Sequence, residues 1–408
     1  MDKCGVLGRK LGHSFSPQIH NLLTDEYSYE IIEREEADLA ALFESREFKG
    51  LNVTIPYKKT VVQYLDEVSE LVKKIGSVNT IVRREDGSLF GDNTDVYGFL
   101  GLVRFSKIDV KNQKVLVLGS GGASVAVMEA LLSLGAKPLI ISRSGENNYD
   151  NIDINSDASV IVNTTPVGMY PGNGESPLDL SLFPKLKGVI DIVYNPWRTE
   201  ILLQAEKMGI PCADGLYMLV AQAKRASEIF LGKDIPDSRI DEIYYSLSAK
   251  MKNLVLVGMP GVGKTTIADE LGRKLGREVI DSDIEIYKKT GRKPSEIINA
   301  DGEPAFRDVE SEVIKELGKL SGKVIATGGG AILREENVKA LHQNGTIVWL
   351  TRDLSCLATE DRPLSQKNSL EEMFKIRKPY YEKASDFCVE NIDVPAVVNT
   401  ICEKAGLS

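Results

Sequence analysis

Two glycine-rich turns mark where this chain can do chemistry on phosphate groups. Each stands between a buried-strand pattern and a helical pattern. The first, Gly119-Ser120-Gly121-Gly122-Ala123-Ser124, follows Lys114-Val115-Leu116-Val117-Leu118. The second, Gly258-Met259-Pro260-Gly261-Val262-Gly263-Lys264-Thr265, follows Leu254-Val255-Leu256-Val257. In the order strand, glycine turn, helix, backbone N–H groups and a helix N-terminus converge on phosphate oxygens. The second turn fits the loop that cradles a nucleoside triphosphate. The first reads G-x-G-G-A, a variant of the dinucleotide fingerprint that still lets backbone approach a pyrophosphate. The next strand ends in Ile140-Ile141-Ser142-Arg143-Ser144. An NAD-selective site places a carboxylate there for the ribose 2′-hydroxyl. An arginine between two hydroxyls suits a 2′-phosphate instead, and so NADP.

The elements that must position these turns can be read along the chain. Cys4 to Leu7 and Leu51 to Ile55 are short apolar runs, and Tyr57 to Ile75 carries a helical pattern. From residue 114 a βαβ unit is expected: strand 114–118, helix Val125 to Leu134, strand Pro138 to Ser142. Strands follow at 160–162 and 188–192, then a long helix from about Met218 to Leu231. Residues 246–250 are the expected boundary, short enough to join two domains closely.

Bulk properties narrow the function classes. A chain of 408 residues exceeds one ordinary core and implies two or three domains. A net charge of -9 without a basic block argues against nucleic acid as a main partner. The five cysteines are scattered and show no Cys-x-x-Cys pair, which favours a reducing, cytoplasmic setting without structural zinc. The N-terminus lacks the apolar stretch of a signal peptide, and no run is long enough for a membrane span.

Ahead of the first glycine turn lie Gly12-His13-Ser14-Phe15-Ser16-Pro17-Gln18, Asn52-Val53-Thr54-Ile55-Pro56-Tyr57-Lys58, Val78-Asn79-Thr80 and Gly91-Asp92-Asn93-Thr94-Asp95. Behind it come Asn163-Thr164-Thr165-Pro166, Asp191-Ile192-Val193-Tyr194-Asn195-Pro196 and Asp214-Gly215-Leu216-Tyr217-Met218, continuing to Gln222. In this order the segments resemble the shikimate dehydrogenase family over about residues 1–247. The resemblance implies reduction of 3-dehydroshikimate by NADPH, with Lys58 as proton donor to the new alkoxide and Asp95 as its partner. It implies Ser14 and Ser16 as ligands of the substrate carboxylate, assisted by Tyr194, and Thr54, Asn79 and Gln222 as ligands of its hydroxyls. It implies cofactor contacts at Gly119, Gly121, Gly122, Ala123, Ser142, Arg143, Ser144, Thr164, Gly215 and Met218. His13 and His20 lack a third partner at metal-like spacing and read as packing residues. One departure stands out. Many family members read Asn-Arg-Thr with further basic residues after the second strand, whereas here Gly145-Glu146-Asn147-Asn148 follows Ser144, which points to a weaker NADP preference.

Behind the second glycine turn come Asp281-Ser282-Asp283, Gly302-Glu303-Pro304-Ala305-Phe306-Arg307 with Glu310, Thr327-Gly328-Gly329-Gly330, Asp361-Arg362-Pro363-Leu364 and Arg377-Lys378-Pro379-Tyr380-Tyr381. This set is similar to shikimate kinases over about residues 251–408. The similarity implies ATP and Mg²⁺ held by Gly261, Val262, Gly263, Lys264, Thr265 and Thr266. Lys264 would reach the outer phosphates, and Thr265 with Asp281 would serve the metal. Asp283 is the expected acceptor of the substrate hydroxyl proton. Arg307 and Arg377 are the expected carboxylate clamp. Gly328, Gly329 and Gly330 are expected to let backbone approach the substrate, and Arg362 to sit on a lid. The arginine that many members carry about seven residues before the lid Arg-Pro-Leu is missing here, where the neighbourhood reads Ser355 to Glu360.

The expected architecture is therefore α/β throughout. A small substrate-binding domain spans 1–98, with a returning helix at 216–247. An NADP-binding Rossmann domain spans 99–215. A P-loop parallel-sheet kinase domain with a lid spans 251–408. The expected partners are 3-dehydroshikimate and shikimate, with no nucleic acid and no membrane. Two alternatives stand beside this reading: a dehydrogenase half that prefers quinate or NAD, or one half kept as an inactive binding module. The intact Lys58, Asp95, Lys264, Asp281 and Asp283 argue against the second.

Overall fold

Apolar runs too short for helices set most of the strands, which form three sheets among the described residues. The computed structural model describes residues 2–12, 14–357 and 370–407. The chain divides into two compact units. One comprises Met1–Val167, Glu175–Tyr194 and Gln204–Ser246; the other comprises Gly168–Gly174, Asn195–Leu203 and Leu247–Ser408.

The first unit carries two sheets. The N-terminal one contains β1 (Asp2–Gly8), β2 (Tyr27–Glu33), β3 (Gly50–Val53), β4 (Glu67–Val68), β5 (Thr80–Arg83) and β6 (Leu89–Asp92), in the order β2-β1-β3-β5-β6-β4. It is mixed: β1 runs parallel to β2 and β3, while β5 is antiparallel to β3 and β6. The second sheet contains β7 (Lys114–Leu118), β8 (Lys137–Ile141), β9 (Val160–Asn163), β10 (Gly188–Asp191) and β11 (Cys212–Ala213), all parallel in the order β11-β10-β9-β7-β8. Val115, Val117, Val160, Val162 and Ile190 are fully buried beneath helices. That burial on both faces is why these strands read as unbroken apolar runs.

The second unit has one parallel sheet of β12 (Asn253–Val257), β13 (Val279–Asp281), β14 (Val324–Ala326), β15 (Gly345–Thr351) and β16 (Phe387–Glu390), ordered β13-β14-β12-β15-β16. In both parallel sheets the chain departs in opposite directions from a central strand, β7 or β12. A crevice opens at the C-terminal end of such a strand. Both glycine turns lie there.

Three expectations needed correction. The stretch Tyr57 to Ile75 is not one helix. It contains a 3-10 turn at Thr60–Tyr64, strand β4 and a helix at Glu70–Ile75. Asp66 donates its N–H to Leu89 O, so edge pairing captures the middle of the stretch. Ser69 then caps the helix by accepting from Val72 N, and Gly76 ends it at φ +64°. The returning segment 216–247 is two helices, Leu216–Leu231 and Ser238–Met251, parted at Gly232 with φ +65°. Residues 246–250 lie inside the second of these helices, although the two compact units do divide at Ser246.

Helix Asp95–Ser106 packs closely on helix Leu216–Leu231 because Gly98 has no side chain. A Cβ there would sit 2.7 Å from Met218 O and 2.9 Å from Gln222 Cβ. Gly98→Ala should force the helices apart and destabilise the first unit by about 1–3 kcal/mol. A thermal midpoint equal to that of the parent chain would contradict this packing.

Candidate active sites

The first site gathers at the mouth of the mixed sheet. Strand β3 runs into the turn that carries Thr54 and Lys58, with Tyr57 N donating to Thr54 O. Asp95 opens helix Asp95–Ser106, and Asn79 immediately precedes β5. Lys58 Nζ donates to Asp95 Oδ2 at 2.6 Å, with the two side chains 15% and 8% exposed. A close pair this far from water keeps both groups in fixed positions. Asn79 Nδ2 donates to Asp95 Oδ1 at 2.9 Å and to Gln222 Oε1 at 3.0 Å. Lys58, Asn79, Asp95 and Gln222, drawn from four distant segments, thus form one hydrogen-bonded group.

Thr94 joins the same group and was not singled out from sequence. Its N–H donates to Asn79 Oδ1 at 2.7 Å, and its hydroxyl reaches Gln222 Oε1 at 3.4 Å. It sits inside the Gly91–Asp95 segment, so the signal was present. Its contact with a residue far along the chain was not. Ser14 Oγ accepts from Ser16 N at 3.3 Å, just before helix Ser16–Leu23. Phe15 between them meets Tyr194 edge-on at 5.8 Å. Among the described residues, no hydrogen bond ties either serine to the Lys58 group. His20 is a core residue: it stacks on Tyr29 at 3.8 Å, and burial depresses its pKa to about 3. His13 lies outside the described residues.

The dinucleotide turn meets this group directly. Gly119 adopts φ +102°, and a Cβ there would press on Thr165 and Thr164. Thr164 Oγ1 donates to Leu118 O at 2.7 Å and holds the β9 exit against the turn. Gly121 caps helix Gly122–Ser133, which Ala123 continues. A Cβ on Gly122 would lie 3.6 Å from Lys58 Cδ. Ser142 N donates to Asn147 O, which leaves Arg143 and Ser144 exposed at the tip after β8. Gly215 has no room for a side chain beside Ile192, and Met218 is largely buried. Open backbone at a helix N-terminus with a solvent-facing arginine nearby fits a dinucleotide with a 2′-phosphate.

The second site lies at the end of β12. Gly258, Gly261 and Gly263 have φ of +147°, +85° and +96°, conformations in which a side chain is strained. Asn391 Nδ2 donates to Val262 O at 2.7 Å and occupies the space beside Gly263. Lys264 Nζ donates to Gly258 O at 2.9 Å and Met259 O at 3.1 Å, which keeps its charge over the loop. Thr265 Oγ1 donates to Asp281 Oδ2 at 3.1 Å, while Thr266 faces solvent on the first turn of the helix. Among the described residues, no cluster of three or more His, Cys, Asp or Glu could hold a metal. One hydroxyl and one carboxylate beside a phosphate loop instead suit Mg²⁺, which binds through few protein ligands together with substrate phosphates.

Across the crevice, carboxylates and arginines alternate. Asp281 caps helix Ser282–Thr290 by accepting from Asp283 N at 2.9 Å. Asp283 opens onto the crevice, yet its pKa is raised to about 6: desolvation is the first cause, followed by the charges of Asp281 and Glu310. Arg307 is bound on both arms, to Glu310 Oε2 at 2.6 Å and Glu303 Oε1 at 2.9 Å. Arg377 is buried beside it, and burial together with Arg307 lowers its pKa, partly offset by Tyr381. Glu310 is fully buried, and its Oε1 has no hydrogen-bond partner among the described residues. That oxygen lies over Gly328, where a Cβ would be 2.8 Å away. Gly329 faces Pro260 of the phosphate loop, and Gly330 faces the Arg307 guanidinium. The triple glycine therefore lines a surface between the phosphate loop and the Asp283–Arg307–Glu310 group. Arg362 lies outside the described residues.

Known proteins resemble both parts of the chain. The family model for the shikimate dehydrogenase substrate binding domain matches residues 6–81, and that for shikimate kinase matches residues 260–405. A Clostridium beijerinckii protein named shikimate dehydrogenase (NADP(+)) is 38% identical over 60% of this chain and 98% of its own length. The Thermus thermophilus shikimate 5-dehydrogenase, solved in complex with NADP(H) and shikimate, is 33% identical. It covers 60% of this chain and 99% of its own, with a TM-score of 0.55. A Corynebacterium glutamicum quinate dehydrogenase in complex with NAD is 30% identical, with coverage of 60% and 99% and a TM-score of 0.55.

Gly263→Ala should weaken binding of a nucleoside triphosphate about 10- to 100-fold, since a Cβ at φ +96° would also meet Asn391 Nδ2 at 2.6 Å. Unchanged affinity by calorimetry would count against this loop as the phosphate cradle. In its N-terminal part the chain belongs to the shikimate dehydrogenase family, and behind that part it carries a shikimate kinase domain.

Proposed function

We propose that this chain reduces 3-dehydroshikimate to shikimate with its N-terminal part and phosphorylates shikimate on its 3-hydroxyl with its C-terminal part. The observation that carries the first step is the Lys58–Asp95 pair, 2.6 Å apart and placed against the dinucleotide turn at Gly122. NADPH supplies the hydride when bound, and MgATP supplies the transferred phosphoryl group. Lys58 then delivers a proton to the oxygen that becomes the alcohol. Asp95 holds the ammonium in place, while Asn79 and Gln222 present hydrogen-bonding groups to the substrate hydroxyls. Ser14, Ser16 and Tyr194 would meet its carboxylate, and Thr54 another hydroxyl.

In the second step Asp283 accepts the proton of the attacking hydroxyl or orients it. Arg307 and Arg377 face the substrate carboxylate, and Lys264 steadies the charge on the phosphates. The product of the first reaction is the substrate of the second, which gives the fusion a chemical logic. The division supported by this reading is a substrate-binding domain at 1–98 with 216–247, a dinucleotide domain at 99–215 and a kinase domain at 251–408. Scattered cysteines without a paired motif support a cytoplasmic setting, and among the described residues no helix is long and apolar enough to cross a membrane.

A coupled assay supplies 3-dehydroshikimate, NADPH and MgATP and follows NADPH loss together with shikimate 3-phosphate. Lys58→Ala should abolish the first signal, and Lys264→Ala the second alone. Substituting quinate or NAD should give the lower kcat/KM, and the reverse order would reassign the dehydrogenase half. In the kinase reaction, kcat/KM for shikimate should fall as pH drops through about 6, where Asp283 takes up its proton. A flat profile between pH 5 and 8, set by the assay, would remove Asp283 from that role.

A further inference from the structure

Two buried hydroxyls in the second unit hold the triple-glycine surface, and the mechanism uses neither. Ser282 lies between Asp281 and Asp283 and is fully buried. Its Oγ accepts from Gly328 N at 2.9 Å. Tyr381, also fully buried, donates its phenol O–H to Gly329 O at 2.5 Å. Its ring stacks on Trp349 at 5.6 Å between centroids, inclined by 13°. Burial pushes the phenol up to about 12, so it remains a neutral donor across the working range.

The two bonds grip successive glycines at opposite polar groups, one N–H and one C=O. Glycine has no side chain to anchor it, and its backbone is the most permissive of any residue. These three have no alternative, because side chains at 328, 329 and 330 would meet Glu310, Pro260 and Arg307. A surface that must be bare is therefore free to shift unless other residues hold it. Ser282 ties it to the strand–helix corner that presents Asp281 and Asp283. Tyr381 ties it to helix Leu370–Ala384, which also carries Arg377, and the Tyr381 phenol and the Arg377 guanidinium act on each other.

We infer that Ser282 and Tyr381 are positioning residues for the acceptor substrate of the kinase reaction: they fix the Gly328–Gly330 surface relative to Asp283 and Arg377 without touching the substrate. This rests on the reading of the second unit as a shikimate kinase and deepens it. Because the phosphate loop is shaped by its own glycines and by Asn391, loss of either hydroxyl should act on the acceptor side and spare the nucleotide side.

The test uses the full chain and the single variants Tyr381→Phe and Ser282→Ala, each of which deletes one hydroxyl and keeps the remaining shape. In each, a buried backbone group loses its partner, and KM for shikimate should rise about tenfold while KM for ATP stays within about twofold. A purely structural role would lower the thermal midpoint and leave the ratio of the two KM values unchanged. An unchanged KM for shikimate in both variants, or equal rises in both KM values, would overturn the inference. A parent chain that hydrolyses ATP without phosphorylating shikimate would overturn the kinase reading itself, before any variant is compared.

Discussion

Bare backbone at the C-terminal end of a central parallel strand is the constraint on which both halves of this protein depend. Phosphate oxygens are bound by N–H groups only where no Cβ intervenes and where the helix that follows points its N-terminus at them. Strands β7 and β12 meet that need in the same way. Each is buried on both faces, each has neighbours running to either side, and each runs directly into a glycine with positive φ. The apolar runs that make these strands central are thus also what delivers the glycine turns to the crevice.

The two sites handle buried charge differently. In the first, Lys58 and Asp95 pair at 2.6 Å, and the Asn79 amide donates to the other carboxylate oxygen. The pair is held by a network that runs through Asn79 to Thr94 and Gln222, so its geometry is narrow. In the second, several carboxylates share one crevice with arginines and Lys264. Asp281, Asp283 and Glu310 lie close together, Arg307 pairs with one of them and with Glu303, and among the described residues one oxygen of Glu310 has no hydrogen-bond partner. Burial raises both Asp283 and Glu310, and the charges of Asp281 and Glu310 add to the rise at Asp283. A site of that kind is suited to receiving a proton from a hydroxyl group.

Rigidity in the second site comes from residues outside the reacting groups. Asn391 fills the space beside Gly263, and Ser282 and Tyr381 hold the triple glycine. In the first site Thr94 has the same office, because its N–H and hydroxyl orient Asn79 and Gln222. None of these is distinctive as a residue type. Serine, threonine, asparagine and tyrosine occur in every part of the chain, and their function here is a matter of which backbone group they face.

The sequence alone determined the fold class, the two families and the two glycine turns, and it named the residues proposed to touch a ligand. It could do so because these features are local: a strand followed by glycines and a helix is written in adjacent positions. Lys58, Asp95, Asn79 and Gln222 could be named, but their assembly into one bonded group depends on packing between helices that are far apart in the chain, made possible by Gly98. The same distance hid Ser282 and Tyr381. Local pattern also misled where tertiary pairing won, as at Tyr57 to Ile75, whose helical periodicity yielded to the β4–β6 pairing. Which polar group faces which was decided by the tertiary structure, because hydrogen bonds of a few ångströms join residues as far apart in the chain as Asn79 and Gln222, which 143 positions separate.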